Sequence, residues 1–216
     1  MLIFNSDGTE ALMCGNGLRC FALFCYEKGI IKESSFDVIT KGGIMKVNIT
    51  SFNPFYASIN LGKAFFDHEL LSINSFIRPF IKQTLNILNQ SYEIHTVFLG
   101  IIHTVVFVSN LEKIIKTKVG SLICSHELFP MKTNVNFVQI IDRKSFYIKT
   151  FERGVGWTES CGTGAASSFF IANYLGLCDE DAKAILPFCT LKITRLPDDT
   201  IALEGPAVRI VKLKIL

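Results

Sequence analysis

The feature that most constrains this chain occurs twice. At Cys161-Gly-Thr-Gly164 a cysteine stands directly before a Gly-x-Gly turn, and an unbroken run of small and apolar residues follows from Ala165 to Leu175. At Cys14-Gly-Asn-Gly17 the same arrangement precedes a helical pattern: Leu18, Phe21, Ala22 and Cys25 fall at i, i+3, i+4 and i+7, one apolar face. Each run stops at a glycine 15 residues after its cysteine (29 − 14 and 176 − 161). The two cysteines are 147 residues apart (161 − 14), which implies an internal duplication with one thiol from each half. The second run is apolar nearly all round, so its helix must be buried, as when a sheet wraps around it.

The first N–H groups of a helix have no partner within the helix, and the dipole adds partial positive charge there. A thiol placed before such an end ionises more readily than a free one, and anions are favoured beside it, so Cys161 is a candidate reactive cysteine. A lone cysteine before a glycine turn is usually a small buried hydrophobe. Packing alone does not account for the same context twice. Two thiols suit the inversion of a stereocentre: one removes a proton from one face, the other delivers a proton to the opposite face, and each becomes the other after a turnover. The two helix starts would hold an α-carboxylate and stabilise charge spreading into it as the α-proton leaves. No imine-forming cofactor is then required.

Asn5-Ser-Asp-Gly-Thr-Glu10, Met13-Cys-Gly-Asn-Gly-Leu-Arg-Cys20, Glu152-Arg-Gly-x-Gly-x-Thr158 and Cys161-Gly-Thr-Gly-Ala165 together closely resemble the diaminopimelate epimerases. The resemblance runs from about Leu2 to the C-terminus and includes Phe129-Pro-x-x-x-Asn134 and Glu204-Gly-Pro-Ala207. It implies a cofactor-independent racemase of α/β (α+β) class, with two pseudo-symmetric halves, each a mostly antiparallel sheet wrapped around a central helix. It further implies that Cys14 and Cys161 are the acid/base thiols. Asn5, Gly15, Asn16, Asn134, Glu152, Arg153, Gly162 and Thr163 would hold substrate, and His103 would support the first cysteine. The implied activity is PLP-independent epimerisation of LL- to meso-diaminopimelate for lysine and peptidoglycan synthesis.

Two departures matter. The family usually reads Gly-Asn-Pro-His where this chain has Gly100-Ile-Ile-His103, so Ile101 replaces a substrate-binding Asn and cannot pair with a polar group facing it. The family also begins earlier, with a strand pair and helix that carry a further substrate-binding Asn and Gln, so the first half is expected to be incomplete here. The expected halves are 1–61 completed by 205–216, and 62–204. These departures keep two alternatives open: a related racemase of another substrate, and a catalytically impaired fragment or binding relic.

Hydrophobic residues make up 49% of the 216, and 19 are Phe, enough for a real core and against disorder. The net charge of +3 is small and its Lys and Arg are scattered, so nothing calls for nucleic acid. The longest apolar stretch, Val97–Val108, is too short to span a bilayer, and no signal peptide pattern opens the chain. Seven cysteines is an odd number, which fits free thiols in the cytoplasm better than a disulfide framework. The expected partner is a small amino-acid substrate, and a homodimer is left open.

Hairpins are expected for Phe36–Thr40 with Ile44–Ile49 around Gly42-Gly43, and for Val135–Ile141 with Ser145–Glu152, the second delivering Glu152 and Arg153 to the cysteine turn. Leu2–Phe4 reads as a strand remnant, Tyr56–Leu61, Glu93–Leu99 and His103–Ser109 as strands, and Ala184–Arg195 as one strand paired with Thr200–Glu204. Between Phe66 and Asn89, the spacing of Phe76, Ile77, Phe80 and Ile81 suggests a short helix, although Pro79 falls inside it. Asn110 would cap a helix through Lys116, followed by a helical turn at Val119–Ser125. Cys20, Cys25, Cys124, Cys178 and Cys189 read as core residues, and Cys14 with Cys20 lacks a zinc spacing, so no metal is expected. His103 is either a satisfied core histidine or a neighbour tuning Cys14. Arg153 is either a carboxylate clamp or a structural ion pair near Glu152. Arg19 reads as structural, and Trp157 either closes over the pocket or packs.

Overall fold

In the computed structural model, which describes residues 1–4, 8, 10–67 and 71–211, the chain divides into two units. One comprises 1–60 and the stretch from 203 onward, the other 61–202. The first unit opens with α1 (Gly15–Glu27), followed by β1 (Ser35–Thr40), β2 (Gly43–Phe52) and β3 (Phe55–Lys63), whose last residues lie past the boundary. These strands form an antiparallel meander in which Thr40 pairs with Gly43 across the expected turn. Strand alternation sends Val47 and Ile49 of β2 and Ala57 and Ile59 of β3 inward, and α1 packs on β2 with Leu18, Ala22 and Cys25 buried. The expected strand at Leu2–Phe4 is only a bridge between Phe4 and Glu10, with Ala11 N–H donating to Ile3 O at 2.8 Å.

The second unit holds β4 (Gln83–Ile87), β5 (Gln90–Leu99), β6 (Ile101–Phe107), α2 (Leu111–Ile115), α3 (Val119–Cys124), β7 (Asn134–Asp142), β8 (Ser145–Glu152), β9 (Gly156–Thr158), α4 (Gly162–Tyr174), β10 (Asp181–Ile185) and β11 (Thr190–Arg195). Its strands run in the order β11-β10-β8-β7-β6-β5-β4, with β9 on β8, and only the β6/β7 and β8/β10 joins are parallel. The fold is mixed α+β, a large sheet with few helices. Helix α4 lies against β5, β6, β7, β10 and β11. The opposite face carries Ile94, Ile102, Val106, Val135 and Phe137, packed with Ile123 of α3 and with Phe129. Finally β12 (Thr200–Pro206) carries the chain back into the first unit beside β3, where Ala207 N–H reaches Phe55 O and Arg209 pairs with Glu27 at 2.9 Å.

The two central helices are built alike. Each is 13 residues long. Each ends in a left-handed glycine, Gly29 (φ 66°) or Gly176 (φ 74°), after which Ile30 N–H bonds Cys25 O at 2.9 Å and Leu177 N–H bonds Ala172 O at 2.8 Å. This is the Schellman closure that the stop glycines in the sequence imply.

Three expectations are corrected. The segment between Phe66 and Asn89 contains no helix among its described residues; it contains β4. Leu85 and Ile87 alternate with polar residues at the strand period, and Leu88 and Asn89, both at positive φ, form the hairpin turn into β5. The single strand expected over Ala184–Arg195 is two, β10 and β11, because Pro187 has no N–H to give a ladder and the chain turns there. Cys20 is exposed rather than in the core, since it lies off the Leu18–Ala22–Cys25 face of α1. No helix among the described residues is long and apolar enough to cross a membrane.

Phe169 on α4 is fully buried, so Phe169→Ala should cost about 3–5 kcal/mol in urea unfolding. Phe76→Ala, at a fully exposed side chain, should change stability by less than about 0.5 kcal/mol.

Candidate active site

Both cysteines are helix N-caps. Cys14 has extended backbone (φ −143°, ψ 113°), and its Sγ accepts the Gly17 N–H at 3.4 Å at the start of α1. Cys161 repeats this (φ −126°, ψ 107°): Gly164 N–H donates to its Sγ at 3.3 Å, and Thr163 Oγ1 lies 3.6 Å from the sulfur. Sulfur is a poorer acceptor than the Ser, Thr, Asp or Asn oxygens that usually cap helices, so a cysteine here twice is not explained by helix stability. The remaining first-turn amides, at Gly15 and Asn16 and at Gly162 and Thr163, have no carbonyl within their own helices and favour an anion. Cys161 is buried and Cys14 half-buried.

In the first unit, Arg19 is buried and holds Asn16. Its Nη2 donates to Asn16 Oδ1 at 2.9 Å, Nη1 to Gly15 O at 3.5 Å, and Nε to Pro206 O at 3.3 Å. The structural reading of Arg19 therefore stands, with the addition that it orients a candidate substrate contact. Asn5 lies outside the described residues.

In the second unit, Asn134 is buried at the start of β7, and its Oδ1 accepts the Arg153 N–H at 2.9 Å. The Arg153 side chain turns to Met131 O (2.9 Å) rather than to Glu152. Glu152 instead accepts from Thr158 Oγ1 at 2.6 Å, a contact made possible because β9 folds back on β8. Trp157 packs on Phe137 and Phe151, so its role is packing.

His103 is completely buried on β6. Burial first, and the Arg153 charge second, lower its pKa to about 3. Its Nδ1 faces Asn136 Nδ2 at 3.2 Å, the same nitrogen lies 3.4 Å from Thr104 O, and Asn136 Oδ1 accepts from Thr150 Oγ1 at 3.0 Å. This network abuts the Cys161 turn. A methyl group on Gly164 would collide with Asn136 Oδ1 and stand 3.0 Å from Thr150 Oγ1 and 3.1 Å from Cys161 Sγ. Asn136 and Thr150 were not marked by sequence reasoning, whereas Thr158 closes the Glu152-Arg-Gly-x-Gly-x-Thr158 motif. The available signal was an Asn two residues after Asn134, on the same strand face, inside the apolar run Val135–Val138. Among the described residues, no group of three or more His, Cys, Asp or Glu side chains could hold a metal ion.

The family model for diaminopimelate epimerase matches residues 1–66 and 95–210 of this chain. The diaminopimelate epimerase of Alkaliphilus metalliredigens is 41% identical over 214 residues, 98% of this chain and 76% of that protein. That of Clostridium perfringens is 39% identical over 208 residues, 96% of this chain and 75% of that protein. Among solved structures, a phenazine biosynthesis protein of the PhzF family from Bacillus anthracis superposes with a TM-score of 0.71 at 16% identity, covering 98% of this chain and 79% of that one. A probable proline racemase from Agrobacterium radiobacter K84 gives 0.65 at 14% identity, covering 97% of this chain and 71% of that one. At these identities the two structures share the fold.

Gly164→Ala should destabilise. The helix propensity gained, about 0.5–1 kcal/mol, is outweighed by an overpacking cost of roughly 1–3 kcal/mol, read as a lower unfolding midpoint. The depressed pKa of His103 sets a pH dependence. The unfolded chain takes up the proton near pH 6.5 and the folded one only near 3, so this stabilisation is whole above 6.5 and lost as pH falls toward 3. Denaturant unfolding from pH 7 to 5 should show stability falling, approaching about 1.4 kcal/mol per pH unit below 6.5. His95, lowered by its own burial, adds in the same direction.

Proposed function

The chain belongs to the diaminopimelate epimerase family, and we propose that it interconverts LL- and meso-diaminopimelate by moving a proton at one α-carbon between Cys14 and Cys161. The observation that carries this reading is the repeated sulfur cap: each unit presents one cysteine at a helix start with a backbone N–H on its sulfur. Both sulfurs meet the same kind of donor, so the reading assigns the thiolate to either one and the thiol to the other. The thiolate removes the α-proton from one face, and the other thiol protonates the opposite face. Each sulfur ends in the state the other began in, and the reverse reaction starts from there.

The negative charge that develops at the α-carbon spreads into the α-carboxylate. The first-turn amides of α1 and α4, at Gly15, Asn16, Gly162 and Thr163, are the groups suited to stabilise it. Glu152 supplies a carboxylate for a substrate ammonium, and Arg153 a guanidinium for a substrate carboxylate. Asn134 fixes the Arg153 backbone while facing the same strand end. Asn5 is assigned to substrate by resemblance. Ile101, half-buried at the start of β6, offers no polar contact, which supports a second reading, a racemase of a smaller or more apolar amino acid. Seven cysteines, an odd number scattered along the chain, support a reducing cytoplasmic setting in which the two thiols stay active.

The test is NMR of α-proton loss in D2O for LL- and meso-diaminopimelate beside a panel of other amino acids. Exchange on diaminopimelate is expected, and exchange confined to another amino acid would transfer the assignment to that substrate. Cys14→Ala and Cys161→Ala should each lower epimerisation by at least roughly 100-fold, the lower range of acid–base catalysis. Near-normal turnover by either variant would sink the two-thiol mechanism.

A further inference from the structure

We propose that Asn136 is a positioning residue of this site, which holds His103 in the tautomer carrying its proton on Nε2. The inference rests on the two-thiol reading above for its functional consequence, and on hydrogen bonding alone for the tautomer. Asn136 has one side-chain oxygen and one nitrogen, and their placement follows from its neighbours. The Thr104 carbonyl, 3.4 Å away, only accepts, so the group facing it is the NH2. The opposite atom is then the oxygen, which Thr150 Oγ1–H meets at 3.0 Å. The same NH2 faces His103 Nδ1 at 3.2 Å. A neutral ring meeting a donor at Nδ1 must accept there, so its only proton sits on Nε2.

Nε2 is buried and has no hydrogen-bond partner among the described residues. An imidazole locked as an Nε2–H donor is not a base; it is a neutral donor whose complement is an acceptor brought by the bound ligand. The cation whose charge acts on this ring, Arg153, points to the same class of ligand, an anion. Asn136 also touches the second element of the site. Its Oδ1 lies where a side chain on Gly164 would be, directly behind the amide that caps Cys161 Sγ. One strand residue thus fixes the polarity of His103 and abuts the Cys161 turn.

Asn136→Asp isolates the donor. It keeps the shape and the oxygen that Thr150 meets, but replaces the NH2 with an acceptor. Nitrogen-15 NMR of histidine-labelled full-length protein at neutral pH, with His103 assigned by its loss in His103→Gln, should show wild-type Nε2 protonated and Nδ1 not. In Asn136→Asp the proton should move to Nδ1, with kcat falling roughly tenfold or more and KM changing less. Asn136→Ala, useful if the first variant does not fold, should show a mixture of both tautomers. A wild-type ring protonated on Nδ1, a pure Nε2–H ring retained in Asn136→Ala, or an inverted ring with wild-type kcat would each overturn the proposal. If the wild-type protein epimerises nothing yet shows an Nε2–H ring that Asn136→Asp inverts, the functional reading fails while the tautomer lock is upheld.

Discussion

The first amides of a helix have no partner within it, and in this chain two helices give one of theirs to a cysteine sulfur. Much of the fold follows from that constraint. A sulfur cap is a weak cap, so each helix depends on its other end and on its packing. Both close on a left-handed glycine, and α4 is buried along almost its whole length from Gly164 to Ala172. Burial of that kind needs a sheet around the helix and small residues where strands approach. Gly164 is the extreme case, because the space its side chain would fill is taken by Asn136, Thr150 and Cys161 itself. Capping sulfur, helix start and nearest strand are therefore one packing unit, and none can change without the others.

The polar residues beneath the Cys161 turn show which forces dominate there. Asn134, Asn136, His103 and Thr150 are all buried among the apolar residues of β6, β7 and β8. Each leaves water at a cost that hydrogen bonds must offset. For His103, burial and the Arg153 charge act in the same direction, with burial the larger, and no carboxylate among its contacts opposes them. The ring is neutral. His95 makes an instructive contrast. Nearby Glu93 pulls its pKa up while burial pulls it down, and burial still wins. Desolvation, rather than any single charge, sets histidine protonation in this sheet.

How much of this was legible in the sequence depended on how local the cause was. Both cysteine helices and their stops were readable because cap, periodicity and terminal glycine all lie within one short segment. The Gly42-Gly43 and Asp142–Lys144 hairpins were readable for the same reason. What failed required knowledge of partners. Strand β4 looked helical because its upstream neighbours Phe76, Ile77 and Phe80 carry that spacing. Only pairing with β5 shows that Leu85 and Ile87 alternate instead. Cys20 looked like core by residue type, but its position on α1 faces outward. At the site, the named motif residues stood out, whereas Asn136 and Thr150 did not. Asn136 meets a histidine 33 residues earlier and a threonine 14 later, contacts that parallel and antiparallel pairing of β7 creates and no local pattern announces.

A thiol pair inverts an α-carbon, but it does not choose among amino acids. Diaminopimelate carries two α-amino-acid ends, so an enzyme that inverts one must hold the other by its charges, and an apolar side chain cannot do that. Ile101 is unsuited to it. The polar groups that remain lie at the far end of the β7/β8 pair, and their geometry separates support from recognition. Thr158 steadies one oxygen of Glu152, Met131 O takes one nitrogen of Arg153, and Asn134 takes the Arg153 backbone. Each tie fixes a charged side chain by part of its hydrogen-bonding capacity, and a guanidinium or carboxylate has more to give. Under the proposed function, an apolar Ile101 leaves distal recognition to Glu152 and Arg153. Selectivity in this chain should follow the charges of those two residues more closely than the identity of the cysteines.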